Sequence, residues 1–163
     1  MKKIGILSDT HGFIDEKIVN FFSECNEIWH AGDIGDTSIF NKFNNKIIRA
    51  VNGNIDGTII KLKFPEFVFF ECENHKILII HIAIQFGKYN KYTEKLIQKY
   101  SPSILVCGHS HILKVYYDKK NNFLFINPGA TGKQGFHVVR TALRMNIDKD
   151  KISDLEIIEL PKH

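Results

Sequence analysis

The chain opens with short, unbroken apolar runs separated by stretches whose apolar positions recur every three or four residues. Lys3–Leu7, Glu27–His30 and Lys46–Val51 are runs of the first kind and predict buried strands. Between them, Asp15–Cys25 puts Ile18, Phe21, Phe22 and Cys25 on one helical face, and Asp36–Phe43 reads as a short helix. This βαβαβ order predicts a largely parallel sheet. From residue 58 the pattern turns β-rich. Thr58–Leu62, Glu66–Glu73 and Lys76–His81 predict strands, Asn90–Tyr100 a helix that stops before Ser101-Pro102, and Ser103–Cys107 another buried strand. Leu113–Tyr117, Phe123–Ile126, His137–Ile147 and Leu155–Leu160 complete the series, with Asn121-Asn122 as a hairpin turn. The expectation is two sheets packed face to face with helices outside, in one domain over residues 1–163.

Composition narrows the class without naming a chemistry. Hydrophobic residues are 44% and charged residues 25% of the 163, ordinary values for a globular protein. No apolar run reaches the ~18 residues a membrane helix needs, so no membrane role is expected. Ile4–Leu7 is too short for the apolar core of a signal peptide, which leads us to expect a cytoplasmic protein. Cys25, Cys72 and Cys107 form no CxxC pair, against a disulfide framework or a thiolate zinc site. The net charge of +4 favours an anionic substrate mildly and is a modest footprint for nucleic acid.

The chemistry lies where strands end. Ile4–Leu7 runs into Asp9 and His11, Ile28-Trp29 into His30 and Asp33, and Ile47-Ile48 through Val51 into Asn54. Ile77–Ile80 runs into His81, and Ile104–Val106 into Gly108-His109-Ser110-His111. Parallel strands would gather these five ends on one edge, where open α/β sheets bind ligands. Imidazole and carboxylate together suit manganese, iron or zinc. Seven candidate ligands exceed the four that one zinc takes, so two ions are the more natural reading. A pair of ions ~3.5–4 Å apart is the usual clamp for in-line displacement at phosphorus. Gly12, Gly32, Gly53 and Gly108 stand beside the ligand types, where loops need close backbone approach.

Asp9-Thr10-His11-Gly12, Gly32-Asp33, Gly53-Asn54, His81 and Gly108-His109-Ser110-His111 resemble, in order and spacing, the motif series of the calcineurin-like metallophosphoesterases. Asn127-Pro128-Gly129 resembles a turn of that family's small single-domain bacterial and archaeal phosphodiesterase branch. The resemblance implies an α/β fold in the form of a four-layer α/β/β/α sandwich. It implies that Asp9, His11 and His111 hold one metal, that Asn54, His81 and His109 hold the second, and that Asp33 bridges them. Manganese is the favoured metal, with iron, nickel or zinc as alternatives. The implied reaction is phosphoester hydrolysis, diesters before monoesters, by direct attack of a metal-activated hydroxide, with Asp9, Asp33, Asn54 and His81 at its centre. Two positions depart from the family pattern. Ile55, followed by Asp56, stands where many relatives carry a His, and His81-Ile82-Ala83 lacks the second His of a His-Gly-His motif. With no evident general acid, substrates with good leaving groups are expected, because proton donation is worth ~10²–10⁴-fold.

Other residues carry weaker signals. His30 reads either as a support for the site or as strand-end packing, and His137 as a strand residue able to face the site. Arg140 and Arg144 read as a solvated sheet face, Lys91, Lys95 and Lys99 as the wet side of a helix, and Phe64, Phe67, Phe69 and Phe70 as core. The expected substrate is a small phosphoester or a nucleotide; a nucleic-acid end is weakly supported. Exposed edge strands leave room for a homodimer. The alternative function is a non-catalytic, metal-binding interaction scaffold of the same fold, as family members of similar size, a retromer subunit among them, bind partners.

Overall fold

A computed structural model describes residues 1–163. In chain order the elements are β1 (Lys2–Leu7), α1 (Glu16–Phe21), β2 (Glu27–His30), a 3₁₀ helix (Thr37–Phe43), β3 (Ile47–Ala50) and α2 (Thr58–Lys63). Then come β4 (Phe67–Cys72), β5 (His75–Ile80), the short hairpin β6 (Ile84–Gln85) and β7 (Lys88–Tyr89), α3 (Lys91–Tyr100) and β8 (Ile104–Val106). The chain ends with β9 (Leu113–Asp118), β10 (Phe123–Pro128), β11 (Val139–Asp148) and β12 (Lys151–Pro161).

Two five-stranded sheets form, in the orders β12-β11-β1-β2-β3 and β4-β5-β8-β10-β9. In the first, β1, β2 and β3 are parallel; in the second, β5, β8 and β10 are. The outer strands pair antiparallel.

The unbroken apolar runs are explained by the strand period of two. Ile4 and Ile6 of β1 face a core between the sheets that also takes Trp29, Ile77, Ile79, Ile104 and Val106. Leu7 and Ile28 face the other way, into a second core under Ile18 and Phe22 by α1, Phe43 of the 3₁₀ helix and Ile60 of α2. Leu78, Ile80 and Leu105 fill a third core beneath Leu96 of α3. Three cores separate four layers, giving the α/β/β/α sandwich.

Three segments differ from the sequence reading. Thr58–Lys63 is a helix, not a strand. Its Thr-Ile-Ile start favours β structure, but Ile59 and Leu62 are exposed and Ile60 is buried, which is helical spacing. Helix α1 covers only Glu16–Phe21, capped by Asp15, whose side chain accepts from the Ile18 amide at 3.2 Å. Phe22 and Cys25 reach the same core from the turns that follow. β11 begins at Val139, so His137 lies in the preceding loop. Asn121-Asn122 does turn the β9–β10 hairpin, with Asn122 at a φ of 61°. No helix is long and apolar enough to cross a membrane.

Candidate metal centre

The ends of β1, β2, β3, β5 and β8 deliver all seven predicted ligand residues to one place between the sheets. Asp33 Oδ2 lies 3.3 Å from His81 Nε2 and 3.9 Å from His11 Nε2. Asp9 Oδ1 lies 3.2 Å from His111 Nε2 and 4.0 Å from His81 Nε2. Asn54 Oδ1 is 2.9 Å from His81 Nε2 and 3.0 Å from His109 Nδ1. Two overlapping groups result, Asp9-His11-His111 and Asp9-Asp33-His81, each with its ligand atoms within 4.8 Å of one another. Asn54 and His109 extend the second.

The backbone bends sharply to do this. Asp9, His11, Asp33, His109 and His111 all sit at positive φ, between 48° and 71°. Asp and His tolerate this left-handed conformation better than most residues. Even so, each such position costs on the order of 1 kcal/mol and persists only where surrounding structure enforces it. Five among seven ligand positions is strain concentrated at one site. Two glycines permit the close approach: a Cβ at Gly53 would collide with Asp33, and one at Gly108 would collide with Ser8 and Asp9.

Hydrogen bonds orient the lone pairs inward. Asp9 Oδ2 accepts from Ser8 Oγ at 2.7 Å and from the His109 amide at 3.1 Å, which leaves Oδ1 facing the cluster. The Ala31 carbonyl accepts from His81 Nδ1 at 2.7 Å, so Nε2 is the nitrogen turned to the site. His111 is fixed through His137. The Gly132 carbonyl is 2.8 Å from His137 Nε2, which must therefore carry the proton. Neutral His137 then accepts at Nδ1, 3.2 Å from His111 Nδ1, which must donate. The lone pair of His111 is left on Nε2, toward Asp9. His137 thus faces a ligand's back, not the cluster itself.

Buried Asp9 Oδ1 and His11 Nε2 have no hydrogen-bond partner. Orphaned polar atoms inside a protein are costly, and these two belong to one predicted ligand set. A cation there would satisfy both, so the residues fit divalent metal. The electrostatics agree. Burial pushes the Asp9 carboxyl up, but with the neighbouring imidazoles protonated His111, His81 and Ser8 more than offset it and hold Asp9 below the usual carboxylate range; a divalent ion would take the place of the inward protons. Asp33 behaves alike: burial opposes ionisation, and His81 and the Ile55 amide outweigh it. Burial pulls the His81 imidazole down, but Asp33 and Asp9 raise it overall.

Several supporting residues show little in sequence. Asp56 accepts from the amides of Ile34, Gly35 and Gly53 at 2.8–3.1 Å, tying the loop of Asp33 to the loop of Asn54. A carboxylate between Gly53 and Gly57, two residues beyond Asn54, is the signal that could have found it. His30 is fully buried, with a pKa lowered to about 4 by that burial, and it is not a ligand. Its Nδ1 accepts from the Gly32 amide, and its Nε2 meets Thr10 Oγ1, whose own proton goes to the Ile34 carbonyl. It clamps two ligand loops together. Asn127 donates to the Gly108 carbonyl and to Ser110 Oγ, so the Asn-Pro-Gly turn braces the loop of His109 and His111. Arg140 is buried rather than solvated, pairing with Asp15 at 2.6 Å.

Residues 1–150 match the family model of the calcineurin-like phosphoesterase superfamily domain. A probable metallophosphoesterase of Mycoplasma pneumoniae is 27% identical over 161 residues, covering 95% of this chain and 96% of the relative. Among solved structures, one described as a novel archaeal phosphodiesterase superposes with a TM-score of 0.73 at 24% identity, covering 97% of this chain and 99% of that one. Vps29 of Entamoeba histolytica, complexed with zinc, gives a TM-score of 0.74 at 13% identity, with 99% of each chain covered. At those identities the two structures share the fold with this chain.

Proposed function

The chain belongs to the calcineurin-like phosphoesterase superfamily, and we propose that it is a cytoplasmic phosphodiesterase that works with two divalent ions, manganese before iron, nickel or zinc. The observation that carries this reading is the gathering of seven candidate ligand side chains in one cluster that contains the orphaned atoms of Asp9 and His11. Asp9, His11 and His111 would hold one ion, Asn54, His81 and His109 the other, and Asp33 would stand between them. Bound ions would supply an activated water as nucleophile and neutralise charge growing on the phosphoryl oxygens.

The protein's own part is preorganisation. Protonated imidazoles outweigh the burial of Asp9 and Asp33 and hold both carboxylates ionised, ready for a cation that would displace those protons. His81 and His111 cannot pivot, because their back nitrogens are bonded to Ala31 and His137. Asp56 and His30 lock the three loops that carry Asp9, Asp33 and Asn54. A donor set held this way loses no binding energy to reorganisation when charge develops. Two separate clefts border the cluster, one reaching Asn54 and His81, the other His109. That suits a phosphorus carrying two organic arms better than a monoester. Three buried free cysteines suit a reducing compartment.

A second reading, a metal-holding interaction scaffold, draws on the apolar rim. Ile55, Ile112 and Phe136 are exposed by 49–103% and are sequence neighbours of Asn54, His111 and His137. A partner seated there would cover the site. Turnover separates the two readings. With added Mn²⁺, bis(p-nitrophenyl) phosphate should be hydrolysed with a higher kcat/KM than p-nitrophenyl phosphate. A reversed preference would make the protein a monoesterase, and no turnover of either would favour the scaffold.

A further inference from the structure

The two clefts beside the cluster are unequal. The larger, about 470 Å³, lies at the β4–β5 end of the second sheet and is lined by Asn52, Lys61, Pro65, Glu66, Ile82 and Tyr92 beside Asn54 and His81. The smaller, about 250 Å³, lies toward β8, β10 and β9, around His109, Ile112 and Lys114. They share no lining residue. The first has the volume of an ordinary small-molecule pocket, roughly 300–1,000 Å³; the second admits only a compact group.

The larger cleft has a particular chemistry. Tyr92, 45% exposed on α3, is braced edge-on by Phe67 at 6.3 Å, so its ring is held while a good part of it stays open. Pro65 and Ile82 add apolar surface. Asn52 uses its Nδ2 on the Phe64 carbonyl at 2.8 Å, which leaves Oδ1 as its free group, an acceptor for an amino or hydroxyl donor. Lys61 contributes a cation and Glu66 a carboxylate to the same cleft, so its charge is balanced and Glu66 adds a second acceptor. A held aromatic ring with acceptors from Asn52 and Glu66 and a cation from Lys61 selects a flat heterocycle that carries both hydrogen-bond donors and carbonyl acceptors.

We propose that this cleft is a nucleoside subsite: the phosphoryl group sits on the cluster while a base stacks on Tyr92 and its donors meet Asn52. The proposal rests on the phosphoesterase reading and names the substrate class, nucleotide-derived phosphodiesters. Ile82, which stands in place of the small residue of a His-Gly-His sequence, becomes part of the cleft wall.

Isothermal titration of the Mn²⁺-loaded protein with inorganic phosphate and with thymidine 5′-monophosphate tests it without turnover. Both ligands offer a phosphate to the cluster; only one carries a base. The wild type should bind the nucleotide about tenfold or more tightly than phosphate, the order expected for one base–aromatic stack. Tyr92→Ala should remove most of that advantage and leave phosphate affinity unchanged, whereas Tyr92→Phe, which keeps the ring, should preserve it. Equal affinity for both ligands in the wild type, or an advantage that survives Tyr92→Ala, overturns the subsite. Failure to bind either ligand would instead sink the phosphoesterase reading beneath it.

Discussion

His137 is the sharpest test of how the cluster is oriented. Its Nδ1 accepts a hydrogen bond from His111 Nδ1–H across 3.2 Å, and the Gly132 carbonyl fixes its own tautomer at 2.8 Å. Burial keeps the His137 imidazole below its ordinary pKa despite that carbonyl, so it remains the neutral acceptor at pH 7. His137→Phe keeps an aromatic ring against His111 but removes the acceptor. His111 Nδ1–H then has no partner, and the ring is free to turn its lone pair away from Asp9. Losing such a supporting bond costs about 10–100-fold in metal affinity, or ~1.4–2.7 kcal/mol. Competition for Mn²⁺ against a fluorescent chelator would measure it, and thermal melting of the metal-free proteins would show that the fold is intact. Metal affinity should fall within that range in the Phe variant and recover partly in His137→Gln, whose side-chain oxygen can accept. An unchanged affinity in His137→Phe, with an unchanged melt, would refute the tautomer argument.

Three further outcomes follow from the structure. Chelation should lower the melting temperature and Mn²⁺ at a hundredfold excess over Kd should raise it by about 5–10 °C, since such saturation is worth about 2.7 kcal/mol and each kcal/mol moves a domain of this size by ~2–4 °C; scanning calorimetry reads this, and no shift would argue against the site. Gly53→Ala drives a Cβ into both the side chain and the backbone nitrogen of Asp33, and displacement of a reacting group by about 1 Å costs on the order of 10²-fold in rate, so Mn²⁺-dependent turnover should fall at least that far, with a lowered melting temperature beside it because the backbone must shift. Asp15 is held below the usual carboxylate range, because Arg140 and the Ile18 amide outweigh its burial. A depressed folded pKa gives stability that is present above the unfolded value of about 3.9 and lost as pH falls through the folded one. Asp15→Ala, which strands the buried Arg140, should cost about 3 kcal/mol at pH 7, and its stability should decline less than that of the wild type below about pH 4, as urea titrations across pH would show.

The site was more legible in the sequence than parts of the fold were. Each candidate ligand follows an apolar strand, so the strand pattern and the ligand types located each other, and all seven residues meet. What sequence spacing could not show is orientation. Nothing in the order of residues says that His137 backs His111, because 26 positions separate them and a loop, not the expected strand, carries His137. Thr58–Lys63 misled because β-branched residues outvoted a helical spacing only six residues long. Arg140 was read as solvated because strand alternation gives a face but not what covers it; here Asp15, Phe13 and the Thr131 and Pro161 carbonyls do.

Under the proposed function, these seven residues hold two divalent ions with Asp33 between them. Anomalous scattering from a crystal soaked in Mn²⁺ addresses it most directly. Two peaks are expected, one ringed by Asp9, His11 and His111 and one by Asn54, His81 and His109, both touching Asp33. A single peak, or manganese bound elsewhere with these side chains unmoved, would contradict it.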